Sequence, residues 1–176
     1  MKISTTATKK AKKLLAQAGV NLDSLDVSGG CSIDVNKIAE DVLKITVVPH
    51  PFTNEISGVF FKKDGKLFIG VNSTHNDKRN RFTIAHEIGH YLLHAGEALH
   101  YDDSSKLPLV AAYFRSDNVA NEVEREANHF AAELLMPAEL IAKCVEANIK
   151  STTALAERFN VSEQAMTYRL VNLGYL

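Results

Sequence analysis

The sequence predicts an α+β fold: a small antiparallel or mixed sheet, a helix packed on it, and a helical extension at the C-terminal end. Strand signals cluster in Ile45–Val71, while a 3.6-residue hydrophobic period governs the segments before and after that stretch. With 176 residues and 45% hydrophobic side chains, the chain is long enough to bury one core without disulfide or metal staples. We expect a first domain over residues 1–140 and the helical extension over 141–176.

Residues 5–18 read as a helix with Ala7, Ala11, Leu14, Leu15 and Ala18 on one face and Gly19 as its stop. Lys9, Lys10, Lys12 and Lys13 occupy the other side, a solvated lysine face rather than a phosphate site. After the Ser28-Gly29-Gly30 loop, Asp34 is placed to cap a helix over Val35–Leu43, with Val35, Ile38, Ala39 and Val42 inward. The β-branched run Ile45–Val48 predicts a strand. Gly58–Phe61 and Lys66–Val71 flank Lys63-Asp64-Gly65, a strong hairpin signal. Arg81–His94 and Val119–Pro137 follow as helices, the second with a core stripe of Ala127, Phe130, Ala131, Leu134 and Leu135. Between them, residues 96–118 read as a loop with a short strand near Leu109–Phe114. Ser151–Leu176 has the pattern of two helices joined by a tight turn, with Ser162 capping the second.

The Arg81–His94 helix carries His86-Glu87-Ile88-Gly89-His90. Residues four apart on a helix stand one turn above each other, so His86 and His90 present two imidazoles to one ion. Glu87 follows the first ligand and reaches a water on that ion rather than the ion itself. Zinc lowers the pKa of such a water, and the carboxylate takes its proton as it attacks a peptide carbonyl. Phe82, Ala85, Gly89, Leu92 and Leu93 form an apolar stripe beside the histidine face, which puts the pair at the edge of a buried surface. Gly89 costs the helix about 1 kcal/mol against Ala, which fits a place where another segment approaches closely.

A catalytic zinc usually takes three protein ligands and one water. Leu93 and Gly96 stand where a longer three-histidine motif needs a glycine and a histidine, so the third ligand comes from elsewhere. In Val119–Pro137, Glu124 lies one turn before Ala127 and Asn128 and fits best, with Glu126, Glu122, His94 or an aspartate as alternatives. Asn128 shares that face and is placed to hold a ligand histidine by its other nitrogen. Tyr91, Tyr101, Tyr113 and His94 are candidates for stabilising an oxyanion. Lys66–Asn72, just before the zinc helix, is the expected sheet edge for a substrate strand. Mn²⁺ or Fe²⁺ also suits two histidines and a carboxylate.

The segments Ile56-Ser57-Gly58, Val71-Asn72, RFTIAHEIGHYLLH (Arg81–His94) and EREANHFAAELLMP (Glu124–Pro137) together resemble the ImmA/IrrE family of metallopeptidases. The resemblance spans about residues 56–137 and rests on two separated motifs in order. It implies a zincin-like domain in which His86, His90 and Glu124 hold zinc and Glu87 is the catalytic acid/base. It also implies a protein substrate, a helix-turn-helix transcriptional repressor whose cleavage relieves repression. The alternative from another class is a regulatory DNA- or protein-binding module, or a toxin–antitoxin partner, with a non-catalytic metal site.

Composition fits a cytoplasmic enzyme. The first residues lack the apolar run of a secretory signal, and no run approaches the roughly 20 residues that span a bilayer. Cys31 and Cys144, with no pairing pattern, read as inert thiols. A formal charge of −1 removes any whole-chain electrostatic case for nucleic acid. The last predicted helix opens Glu163-Gln164 with Arg169 as its sole cation, whereas phosphate contacts need several Lys or Arg. Packing or substrate recognition is therefore the role favoured for the tail over direct DNA binding.

Overall fold

A computed structural model of the chain describes residues 5–25, 27, 29–94 and 118–176. Its three strands are β1 (Ile45–His50), β2 (Gly58–Lys63) and β3 (Lys66–Asn72). The described helices are α1 (Thr5–Gln17), α2 (Val35–Lys37), α3 (Asp77–Leu93), α4 (Asn118–Leu135), α5 (Ala138–Glu146), α6 (Thr152–Arg158) and α7 (Glu163–Leu173). The expected α+β class with a mixed sheet is what forms.

The sheet order is β1-β3-β2, with β1 parallel and β2 antiparallel to β3. Lys66 pairs with Lys63, leaving Asp64 (φ 50°) and Gly65 (φ 76°) as a two-residue loop of the kind that matches strand twist. This corrects the expected substrate edge. Lys66–Asn72 is the central strand, its backbone groups engaged on both sides, and among the described residues the edges are β1 and β2. Proximity in sequence to α3 misled here, because a hairpin leaves its first strand outside when a parallel strand covers the second.

Helix α3 packs on β2 and β3 and on α4, and α1 packs across α4 and α3. Asn76 caps α3 by accepting from the Arg79 N–H, so the helix starts a turn earlier than the Arg81 expected from periodicity. Its buried side is Thr83, Ile84, Ala85, Ile88 and Gly89. Of the expected stripe, Ala85 and Gly89 are buried, while Phe82, Leu92 and Leu93 are only partly covered. The difference arises because α3 packs against both the sheet and α4, so its buried side widens to include Thr83, Ile84 and Ile88. Gly89 meets its expectation: a Cβ there would lie 3.2 Å from both the Cα and the carbonyl oxygen of Ala127 on α4. On the other flank, a Cβ on Gly58 would lie 2.3 Å from Thr83 Cγ2, so β2 crosses α3 only with glycine at that point.

Asp34 accepts from the Lys37 N–H, as a cap should, but the helix widens into a π-helical turn over Ile38–Val42, where the Leu43 N–H donates to the Ile38 carbonyl. The lysine face of α1 is partly engaged. Lys10 donates to the Leu92 carbonyl at the end of α3, and Lys12 pairs with Glu139. The main core runs from Ala7 on α1 through Ile69, Ile88, Phe130 and Leu134 to Phe159 and Leu170. Helix α5, for which the sequence offered no specific expectation, buries Leu140, Ile141 and Cys144. The expected strand at Leu109–Phe114 lies outside the described residues.

Candidate metal centre

Helices α3 and α4 meet so closely at Gly89 that their polar residues one turn away converge. His86 Nε2 and His90 Nε2 are 2.9 Å apart. Glu124 Oε1 lies 3.1 Å from His90 Nε2, and Oε2 lies 3.3 Å from His86 Nε2. All three donor atoms sit within 4.8 Å of one another. Among the alternatives, Glu126 turns to His94 at 3.8 Å and Glu122 pairs with Arg125 on the surface at 3.7 Å. Asn128 Oδ1 lies 3.0 Å from His86 Nδ1. That contact orients the imidazole so that its Nε2 faces Glu124.

The electrostatics suit a cation. Burial alone would raise the Glu124 pKa, but the hydrogen bonds from His86 and His90 overcome it and hold the carboxyl far below the usual carboxylate range. Burial works against a charged His86, yet Glu124 and the nearby Glu87 leave its pKa raised. Two imidazole nitrogens and one ionised carboxylate form the donor set of an open divalent site, so the residues present fit a divalent metal ion.

Glu87 is on the same helix but faces the sheet. Burial pushes its carboxyl above the ordinary range, opposed by His86, His90 and a hydrogen bond from the Phe60 N–H of β2. Phe60 also packs in a tilted contact on Tyr91, one of the expected oxyanion candidates, with ring centroids 5.1 Å apart. His94 is directed toward Glu126, and Tyr101 and Tyr113 lie outside the described residues.

Asn72 stood in the sequence only as part of the Val71-Asn72 segment, with no role assigned to it. Asn72, fully buried at the end of β3, shares its Nδ2 among the carbonyls of Phe52, Thr53 and Ile56 at 2.9–3.2 Å. Its Oδ1 accepts from the Thr74 N–H and hydroxyl. These bonds shape the loop that delivers Gly58 and β2 to Glu87. Its place at a strand end before a loop was the available signal.

A family profile described as IrrE N-terminal-like domain matches residues 40–171. The chain belongs to this family. It is 33% identical over 105 residues to the "Radiation response metalloprotease IrrE" of Deinococcus radiodurans, covering 58% of this chain and 30% of that protein. The protein of the same name from Deinococcus deserti is 36% identical over 105 residues, covering 58% and 35%. "Uncharacterized immunity region protein 2" of Bacillus phage phi105 is 34% identical over 96 residues, covering 54% of each. The chain thus spans about a third to a half of the length of these relatives. A solved "Mycobacterium tuberculosis transcriptional regulator" shares the fold at a TM-score of 0.60 and 20% identity, over 94% of this chain and 46% of that one.

Proposed function

We propose that the chain is a zinc-dependent endopeptidase that hydrolyses a peptide bond in a protein substrate, a helix-turn-helix transcriptional repressor, in the cytoplasm. The observation that carries the proposal is Glu87: a carboxylate beside two histidines and Glu124, outside their donor cluster, with its pKa raised. A closed structural site has no use for such a group. The metalloprotease relatives support the reaction, and the phage immunity-region relative supports a regulatory substrate. No helix among the described residues is long and apolar enough to cross a membrane.

His86, His90 and Glu124 would hold zinc, which when bound supplies Lewis acidity to a water and to the scissile carbonyl. Glu87 then accepts the water's proton at its carboxylate and returns it to the leaving amine, a role its raised pKa suits. The Phe60 N–H keeps that carboxylate oriented. Among the described residues, no strand pairs with the outer side of β2, which makes β2 rather than β3 the strand along which substrate would add. The test is co-expression with helix-turn-helix repressors from the same genome, followed by mass analysis of fragments. Cleavage by wild type and none by Glu87→Gln is expected; intact repressors in both would sink the proposal.

A further inference from the structure

Beyond Asn128, on the side of His86 away from Glu124, α3, α4 and α7 enclose a groove of about 760 Å³. That is the size range of a built ligand site. Its floor is apolar, formed by Phe82, Ala132, Met136 and Val161. Its charged lining residues are Lys78, Arg79, Arg125 and Arg169, and among the described residues no Asp or Glu lines it. In a chain of net charge −1 this is a local concentration of one sign. Two of the cations have partners. Arg169 is neutralised by buried Glu133, and Arg125 has a weak surface contact with Glu122 at 3.7 Å. Arg79 donates to Ser57, which spends no charge, and Lys78 completes the rim. His129 in the same wall has its pKa lowered by burial and by Arg169. Tyr168 stands at the mouth, 64% exposed, an aromatic with no core role.

We propose that this groove is an exosite for an acidic amphipathic segment of the protein substrate, with apolar side chains on its floor and carboxylates at Lys78 and Arg125. The proposal rests on the peptidase reading, because the occupant is taken to be a remote part of the chain being cut. Charge complementarity selects the acidic peptide, and continuity through Asn128 to His86 connects the groove to the metal centre. Tyr168 supplies the rigid anchor common at such contacts.

The probe is a short fluorescein-labelled peptide with Leu and Glu at helical spacing, titrated into the full chain and read by anisotropy. Its counterpart carries Lys in place of Glu, and a labelled DNA duplex is the third arm. We expect the acidic peptide to bind about tenfold or more tighter than the Lys counterpart. Lys78→Glu with Arg125→Glu should weaken it about tenfold, and Tyr168→Ala should also weaken it, with circular dichroism unchanged. Glu87→Gln should bind the peptide as wild type does, which separates docking from hydrolysis. Equal binding of both peptides, indifference to the charge reversals, loss of binding in Glu87→Gln, or tight binding of the duplex in place of the acidic peptide would each overturn the exosite. Failure to cleave the repressor, with peptide binding intact, would count against the peptidase reading instead.

Discussion

Glu87 and Glu124 are both carboxylates near the same two histidines, yet their surroundings drive them in opposite directions. Glu124 is held ionised by His86 and His90, while Glu87 is pushed up by burial against β2. The two should therefore fail differently. Glu87→Gln should retain stoichiometric metal by atomic absorption but lose hydrolysis by about 100- to 10,000-fold. Glu124→Ala should lose metal, since two remaining ligands hold zinc poorly. Retention of full affinity by Glu124→Ala would move the third ligand elsewhere. The histidine pair was legible because helix geometry translates spacing directly into position. The choice of Glu124 over Glu122 and Glu126 followed from its register with Ala127 and Asn128. Cys31 and Cys144 were not legible as neighbours: 113 positions apart in sequence, their sulfurs lie 3.8 Å apart in the core. Burial, with Cys31 beside it, pushes the Cys144 thiol up to about 12. A raised folded pKa keeps the thiol protonated until pH passes the ordinary thiol range. Alkylation of native protein by iodoacetamide should thus stay slow from pH 7 to 10, and fast labelling of Cys144 at pH 8 would contradict its burial.

At the scale of elements, the contact of α3 with α4 is set by a missing side chain. Gly89→Val would drive two methyl groups into the Ala127 backbone and Phe130, which already sit at 3.2 Å from a bare Cβ. We expect a loss of about 1–3 kcal/mol in urea unfolding, together with weaker metal binding, because the same contact sets Glu124 opposite the histidines. Unchanged stability would mean that the helices slide apart freely. The hairpin was readable from Asp64-Gly65, whereas strand order was not, since pairing β1 onto β3 is a long-range choice that local turn chemistry does not encode. In the tail, Ser162 caps α7 as its sequence signalled. Arg169 could not be assigned from sequence between a phosphate contact and an internal partner. It is 3% exposed, paired with Glu133, and donates through Nε to the Met136 carbonyl. Arg169→Ala should cost about 3–5 kcal/mol by stranding the Glu133 charge, whereas Arg169→Met with Glu133→Leu should fall near wild type. Equal losses in both variants, measured by urea titration, would show that packing rather than charge is at stake.

Across the whole molecule, the residues of the candidate donor cluster come from two helices, but what holds those helices in place comes from both ends of the chain. Thr8 of α1 contacts His129 of α4 at 3.0 Å. Arg81 of α3 donates to the Ile33 carbonyl before α2 and to the Asn160 carbonyl between α6 and α7. The Cys31 N–H donates to the Arg158 carbonyl, closing the N-terminal segment onto α6. Leu155, Phe159, Val161, Met166 and Leu170 of the tail are in the same core cluster as Ile88 and Leu134. Each such side chain contributes about 1.5–3 kcal/mol when buried, so the five together are worth on the order of 10 kcal/mol. A domain's entire stability is only about 5–15 kcal/mol. Truncation after Lys150 should therefore abolish the cooperative thermal transition and, with it, metal binding, even though no residue of the donor cluster is removed. Single substitution of the tail's exposed Tyr175 to Ala should do neither, being 43% exposed and outside the core. A truncated chain that still melted cooperatively near the wild-type temperature and bound metal would show that α6 and α7 lean on the fold without supporting it, and the position of α3 would then need another cause.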